Sequence, residues 1–185
     1  MKEFSMFDHA LASASERVED LGTVALISRR DFDERVTFRF RARVPCLEYF
    51  SLLIENALLL RTHRGGRLYV GFEKLSRMEP VVDRYMRIAD ISERVYVFGE
   101  PDWKPPRHPN LRVVKLDGGL RLAREWFVVA DSPSLGVALV GVDEDGFSVP
   151  VLEERTFSAL KTHDPALVQS LAAAAESLID DSFRA

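Results

Sequence analysis

Three groups of side chains have the types and spacing that recognition chemistry uses. Arg39, Arg41 and Arg43 alternate along a β-prone run and so project from one face of a strand. Guanidinium groups in that arrangement can grip a phosphate or carboxylate bidentately, and the same pattern suits a solvated edge strand blunted by charge. The second group is the loop Glu100-Pro-Asp-Trp-Lys-Pro-Pro-Arg107, with Glu100, Asp102 and Trp103 as candidate ligand contacts. It leaves the carboxyl end of a strand expected to be parallel, where open α/β sheets bind ligands. Trp103 can lid a pocket or anchor a partner, or simply cover the sheet edge. The third group, Arg124-Glu125-Trp126, leads into an apolar strand; it offers polar contacts to a pocket or an ordinary ion pair at a strand entrance.

Other chemistries find no support. Arg64-Gly65-Gly66-Arg67 and Asp117-Gly118-Gly119 lack the glycine spacing and the lysine of a phosphate-binding loop and read as turns. His9, His63, His108 and His163 are scattered, with no pair at the helical spacing that sets two imidazoles on one metal. Asp164 can orient His163, but helix capping accounts for it more simply. No serine sits in a nucleophile elbow. The single Cys46 rules out an internal disulfide and reads as a core thiol. The expectation is a non-catalytic protein without metal or cofactor.

The elements that must position these groups can be read from periodicity. Phe4 to Glu19 carries Phe7, Leu11, Ala14 and Val18 at helical spacing, with Gly22 as a stop. Thr23 to Ser28 and Val36 to Arg41 read as neighbouring strands. Pro45 opens a helix with Leu47, Phe50, Ile54, Ala57 and Leu60 on one face, ending at Gly65-Gly66. Leu52, Leu53, Leu58 and Leu59 widen its apolar surface, as deep burial or a homodimer seam requires. Leu68–Phe72 is a strand, a helix follows through about Ala89 with Pro80 in its first turn, and Arg94–Phe98 is the next strand. That order implies a β-α-β crossover and parallel strands.

After the loop Gly99–Asn110, strands at Leu111–Leu116, Trp126–Ala130 and Leu135–Val142 are expected to run antiparallel, with a turn at Asp131–Ser134. Phe147 to Leu160 reads as one or two ragged strands. Asp164 and Pro165 start a last helix with the stripe Leu167, Leu171, Ala174 and Leu178. The fold class expected is mixed α/β (α+β): a single domain over residues 1–185, with a central mixed sheet, helices packed on it and antiparallel strands toward the C-terminus.

Composition sets the outer limits. With 185 residues, 46% apolar and 29% charged, the chain can bury one core and resembles neither a disordered nor a coiled-coil sequence. A net charge of −4 gives no global field for nucleic acid or anionic lipid. The start lacks an export signal, and Leu52–Leu60, broken by Glu55 and Asn56, falls short of the roughly 20 residues a membrane span needs. A cytoplasmic protein off the membrane is expected.

The string Ala123-Arg-Glu-Trp-Phe-Val-Val-Ala-Asp-Ser-Pro133 then bears on identity. With Ser5–Asp8, Ile54–Ala57, Tyr69–Phe72, Tyr85, Val95–Phe98, Ala138-Leu139 and Thr162–Pro165, the chain resembles the DICT domain, a sensory module found with diguanylate cyclases and two-component systems. The resemblance implies an input domain of a bacterial regulatory pathway. It carries over no ligand motif and implies no enzyme activity. The function expected is a sensory domain that binds a small molecule or a signalling protein. The alternatives are an adaptor or homodimeric interaction module without small ligand and, less favoured, an enzyme acting on a nucleotide or acyl substrate.

Overall fold

A computed structural model describes residues 2–14, 17–61, 65–146 and 149–184. His63, Arg64 and the start of the Phe147–Leu160 segment lie outside the described residues. The helices are α1 (Met6–Ser13), α2 (Arg29–Glu34), α3 (Val44–Leu59), α4 (Val82–Ile91) and α5 (Pro165–Arg184). The strands are β1 (Glu19–Thr23), β2 (Thr37–Arg43), β3 (Arg67–Lys74), β4 (Arg94–Glu100), β5 (Leu111–Lys115), β6 (Glu125–Ser132), β7 (Leu135–Asp143) and β8 (Thr156–Thr162). They form one eight-stranded sheet in the order β1-β2-β8-β7-β6-β3-β4-β5.

The β3-α4-β4 crossover is parallel, and β6, β7 and β8 run antiparallel. The mixed α/β architecture is therefore the one the sequence implies. β5 departs from expectation: it pairs parallel with β4. The segment 101–110 carries the chain back past β4, so that Val95 N–H bonds to the Asn110 carbonyl at 2.8 Å. A proline-rich loop thus does the work of a crossover helix.

The N-terminal third also differs. Only Met6 and Ala10 of α1 are buried, and the helix ends at Ser13 once that contact ends. The next strand is Glu19–Thr23 rather than Thr23–Ser28, with Gly22 inside it at φ 65° and a register shift between Asp20 and Thr23. Helix α2 has a single buried residue, Phe32, and is held by a Ser28 cap and by ion pairs such as Arg29–Asp33 and Arg30–Glu34. A one-residue apolar face leaves no periodicity to read. The ammonium of buried Lys161 bonds to the Phe32 and Arg35 carbonyls at the end of α2.

Helices cover both faces of the sheet. On one face α3 and α4 pack Leu47, Phe50, Ile54, Tyr85 and Ile88 against Phe38, Val70, Val95 and Val128. On the other, α1 and α5 pack Met6, Leu167 and Leu171 against Tyr69, Phe127, Val129 and Leu160. Gly71 is required in β3 because a Cβ there would fall 2.3 Å from the Phe127 ring. No helix among the described residues is long and apolar enough to cross a membrane.

Candidate functional site

Where α3 and α4 diverge, they leave part of the sheet uncovered and open a cleft of about 750 Å³. Its floor is two directly opposed cross-strand pairs, Val70 with Val128 and Phe72 with Trp126. Half-buried Phe72 and Trp126 are thus open to a ligand. The α3 wall carries Tyr49, Ser51, Leu52 and Glu55, and the opposite wall is a short 3-10 helix (Leu75–Val81) with the first turn of α4. Pro80 sits inside that 3-10 helix, just ahead of α4 rather than in its first turn. Leu152 and Glu153 close one end.

Polar groups are placed with definite partners inside this apolar shell. Trp126 Nε1–H donates to Ser51 Oγ at 3.0 Å. Glu55, one turn beyond Ser51, is buried; it accepts from the Tyr85 hydroxyl at 2.7 Å and from Arg84 Nη1 at 2.7 Å. Burial pushes the Glu55 carboxyl above its ordinary range, and the bonds from Tyr85 and Arg84 oppose that rise. The Tyr85 phenol is raised in turn by its own burial and then by the Glu55 charge. At the mouth Glu48 is raised by partial burial and by its neighbour Glu153.

Beside the cleft lies a buried ionic cluster built on a backbone irregularity. β3 is bulged between Gly71 and Lys74, and Glu73 adopts φ 57°, the left-handed region that non-glycine residues rarely enter. This turns Glu73 inward, where it meets Arg77 and, at 3.5 Å, Arg155, which also faces Asp143 at 3.2 Å. Arg77 lines the cleft, and burial lowers its guanidinium to about 10.

The structure separates the residues singled out from sequence. In the Arg124-Glu125-Trp126 string, only Trp126 lines the cleft. Glu125 faces the opposite layer, where its Oε2 accepts the Met6 and Phe7 N–H groups at 2.8 and 3.3 Å and so caps α1. Burial lifts its carboxyl to about 7. Arg124 is exposed and lies against Gly146.

Asp102 and Trp103 line a separate groove of about 920 Å³ beside β5. Asp102 accepts from Ser76 N–H at 2.9 Å and from its hydroxyl at 2.6 Å, tying the loop to the 3-10 turn. Trp103 is half-buried and packs on the core. Glu100 ends β4, with its carboxylate against Gly118.

Arg39, Arg41 and Arg43 are exposed on one face of β2, as their alternation implies. β2 is not the edge strand, because β1 covers it. Arg39 pairs with Asp20 and Arg41 with Glu144. The histidines among the described residues are dispersed: His9 meets Ser170, His108 meets Asp90, and His163 Nδ1 meets Lys161. Asp164 accepts from Ala166 N–H as a helix cap. No group of three or more potential metal ligands occurs among the described residues. Sequence reasoning passed over Ser51, Glu55, Arg77, Arg84 and Tyr85 as a set. Glu55 inside an apolar helix stripe, one turn from Ser51, was the available signal.

The molecule is thus an α/β protein with helices on both faces of its sheet and a cleft over the sheet between two of those helices. The family model described as "Sensory domain in DIguanylate Cyclases and Two-component system", DICT, matches residues 50–143, and the chain belongs to that family. The match takes in the cleft floor and most of both walls. The likenesses at Ser5–Asp8 and Thr162–Pro165 fall outside it. No curated protein matches the sequence. Among solved structures, polyphosphate kinase from Porphyromonas gingivalis is similar at 19% identity and a TM-score of 0.46, over 76% of this chain. The chain spans 23% of that protein's length, and so distant a likeness bears on neither fold nor function here.

Proposed function

We propose that this chain senses a small organic molecule with a flat, largely apolar body, held in the cleft between α3 and α4. Membership of a sensory family supports the signalling role. The ligand reading rests on Phe72 and Trp126, opposed across β3 and β6 and left half-open to solvent in a cleft of about 750 Å³. Aromatic faces favour planar partners through offset stacking. The set of buried Glu55 and Tyr85 with half-buried Arg84 fixes the orientation of a polar end. A ligand touching both walls biases the separation of α3 and α4, which supplies the differential binding between two states that signalling requires.

The test is a thermal-shift screen of aromatic acids, amines and heterocycles against the wild-type protein and Trp126→Ala. A ligand at about 100 times its dissociation constant adds ~2.7 kcal/mol to stability, enough to move the melting point by several degrees. The expected result is stabilisation of the wild type that is lost in Trp126→Ala relative to that variant's own baseline. Shifts that persist in the variant, or a panel without effect, would count against the cleft.

A further inference from the structure

We infer that the groove between β5 and the proline-rich loop is a docking site for an extended, acidic segment of a partner protein, bound by strand addition to β5. This does not depend on what occupies the α3–α4 cleft. Three observations carry it.

The first is charge. The groove of about 920 Å³ is lined by Lys104, Arg107, Arg112 and Lys115, in a chain whose net charge is −4. None of the ion pairs among the described residues engages these four. Among the described residues Arg112 donates only to the Pro109 and Leu111 carbonyls, neither of which carries a compensating charge. The carboxylate in the groove lining, Asp102, is engaged by Ser76.

The second is the free edge. β5 ends the sheet, and its bonds to β4 include Asn110 carbonyl to Val95 N–H and Leu116 N–H to the Gly99 carbonyl. In a parallel ladder alternate residues face the neighbouring strand, so Arg112 and Val114 turn their backbone toward β4. Val113 and Lys115 then direct theirs outward. An unpaired edge of this kind is a template for another strand. Val113 is also among the exposed large apolar side chains, at 36%.

The third sets aside the opposite sheet edge of a second copy as the occupant. The opposite edge strand, β1, does carry Glu19 and Asp20, but they are already paired with Arg35 and Arg39. It presents no free acidic row to a neighbouring β5.

The test measures fluorescence anisotropy of a labelled peptide of alternating glutamate and valine, in roughly physiological salt so that exposed charges are screened. Controls are the valine–lysine analogue, the same acidic peptide N-methylated at alternate residues, and oligothymidylate. Saturable binding of the first peptide alone is expected. Val113→Pro removes an outward N–H without breaking the ladder to β4, and it should weaken binding at least about tenfold. The triple variant Lys104→Glu, Arg107→Glu, Lys115→Glu should do the same.

Should Val113→Pro fail to fold, the N-methylated peptide and the charge variant decide the matter. Equal binding of the N-methylated peptide would overturn the inference, as would tighter binding of the oligonucleotide. Self-association of the protein that competes with the peptide would also overturn it.

Discussion

Tyr85 on α4 donates its phenolic proton to Glu55 on α3 at 2.7 Å, a bond that links the two walls of the cleft. Both residues are buried, and Glu55 has Arg84 as its second donor. Tyr85→Phe should therefore destabilise the fold by roughly 1–3 kcal/mol, because it leaves a buried carboxylate oxygen unpaired. Glu55→Gln keeps an acceptor for Tyr85 and should cost less. Urea unfolding of the two variants would rank them. The opposite order would mean that the Tyr85 hydroxyl is not the group that holds Glu55.

Glu125 supplies a pH dependence. Its carboxyl is raised from 4.5 to about 7, chiefly by burial, so the folded state favours the protonated form. Stability from this group is complete below its unfolded value near 4.5 and is lost as pH rises toward about 7. The loss is at most about 3 kcal/mol. Glu48 and Glu55 are raised as well and slope the same way, so a comparison isolates Glu125. Glu125→Gln should show a flatter fall in urea midpoint between pH 4.5 and 7 than the wild type. Equal slopes would show that Glu125 stays ionised beneath α1.

These side chains also show what the sequence could reveal. Periodicity was sufficient for α3, α5 and the β3-α4-β4 crossover, because each buries a regular apolar set. It failed at α2, where Phe32 is the one buried residue and local ion pairs carry the helix. It failed at β5 because strand direction depends on where a ten-residue proline-rich loop carries the chain. At the site, Trp126 was visible as an aromatic residue at a strand start. Ser51, to which it donates, and Glu55 interrupt an apolar helix, and their meaning depends on β6 and α4 lying opposite.

The left-handed conformation of Glu73 gives a prediction of unusual sign. Removing its carboxylate strips a partner from buried Arg155 and from half-buried Arg77, so Glu73→Ala should cost about 3 kcal/mol. Glycine enters φ 57° without a Cβ penalty. Glu73→Gly should therefore be the more stable of the two by up to about 1 kcal/mol, reversing the order usual in strands. Thermal melting of the pair checks this, and alanine proving the more stable would refute strain at the bulge.

Asp102 joins the two surfaces, since its partner Ser76 lines the cleft while Asp102 itself lines the groove. Asp102→Ala should speed amide exchange together in residues 75–81 and in the loop 101–110, at a stability cost of about 1 kcal/mol. Faster exchange in the loop alone would show that the two move independently.

Ligand entry beneath the sheet aromatics can be read from indole resonances, because the chain holds Trp 2 in all, Trp103 and Trp126. In a titration with any compound that raises the melting point, the Trp126 indole N–H, which bonds to Ser51, should shift and saturate while that of Trp103 stays in place. Movement of Trp103 alone, or of neither, would contradict a ligand site between α3 and α4.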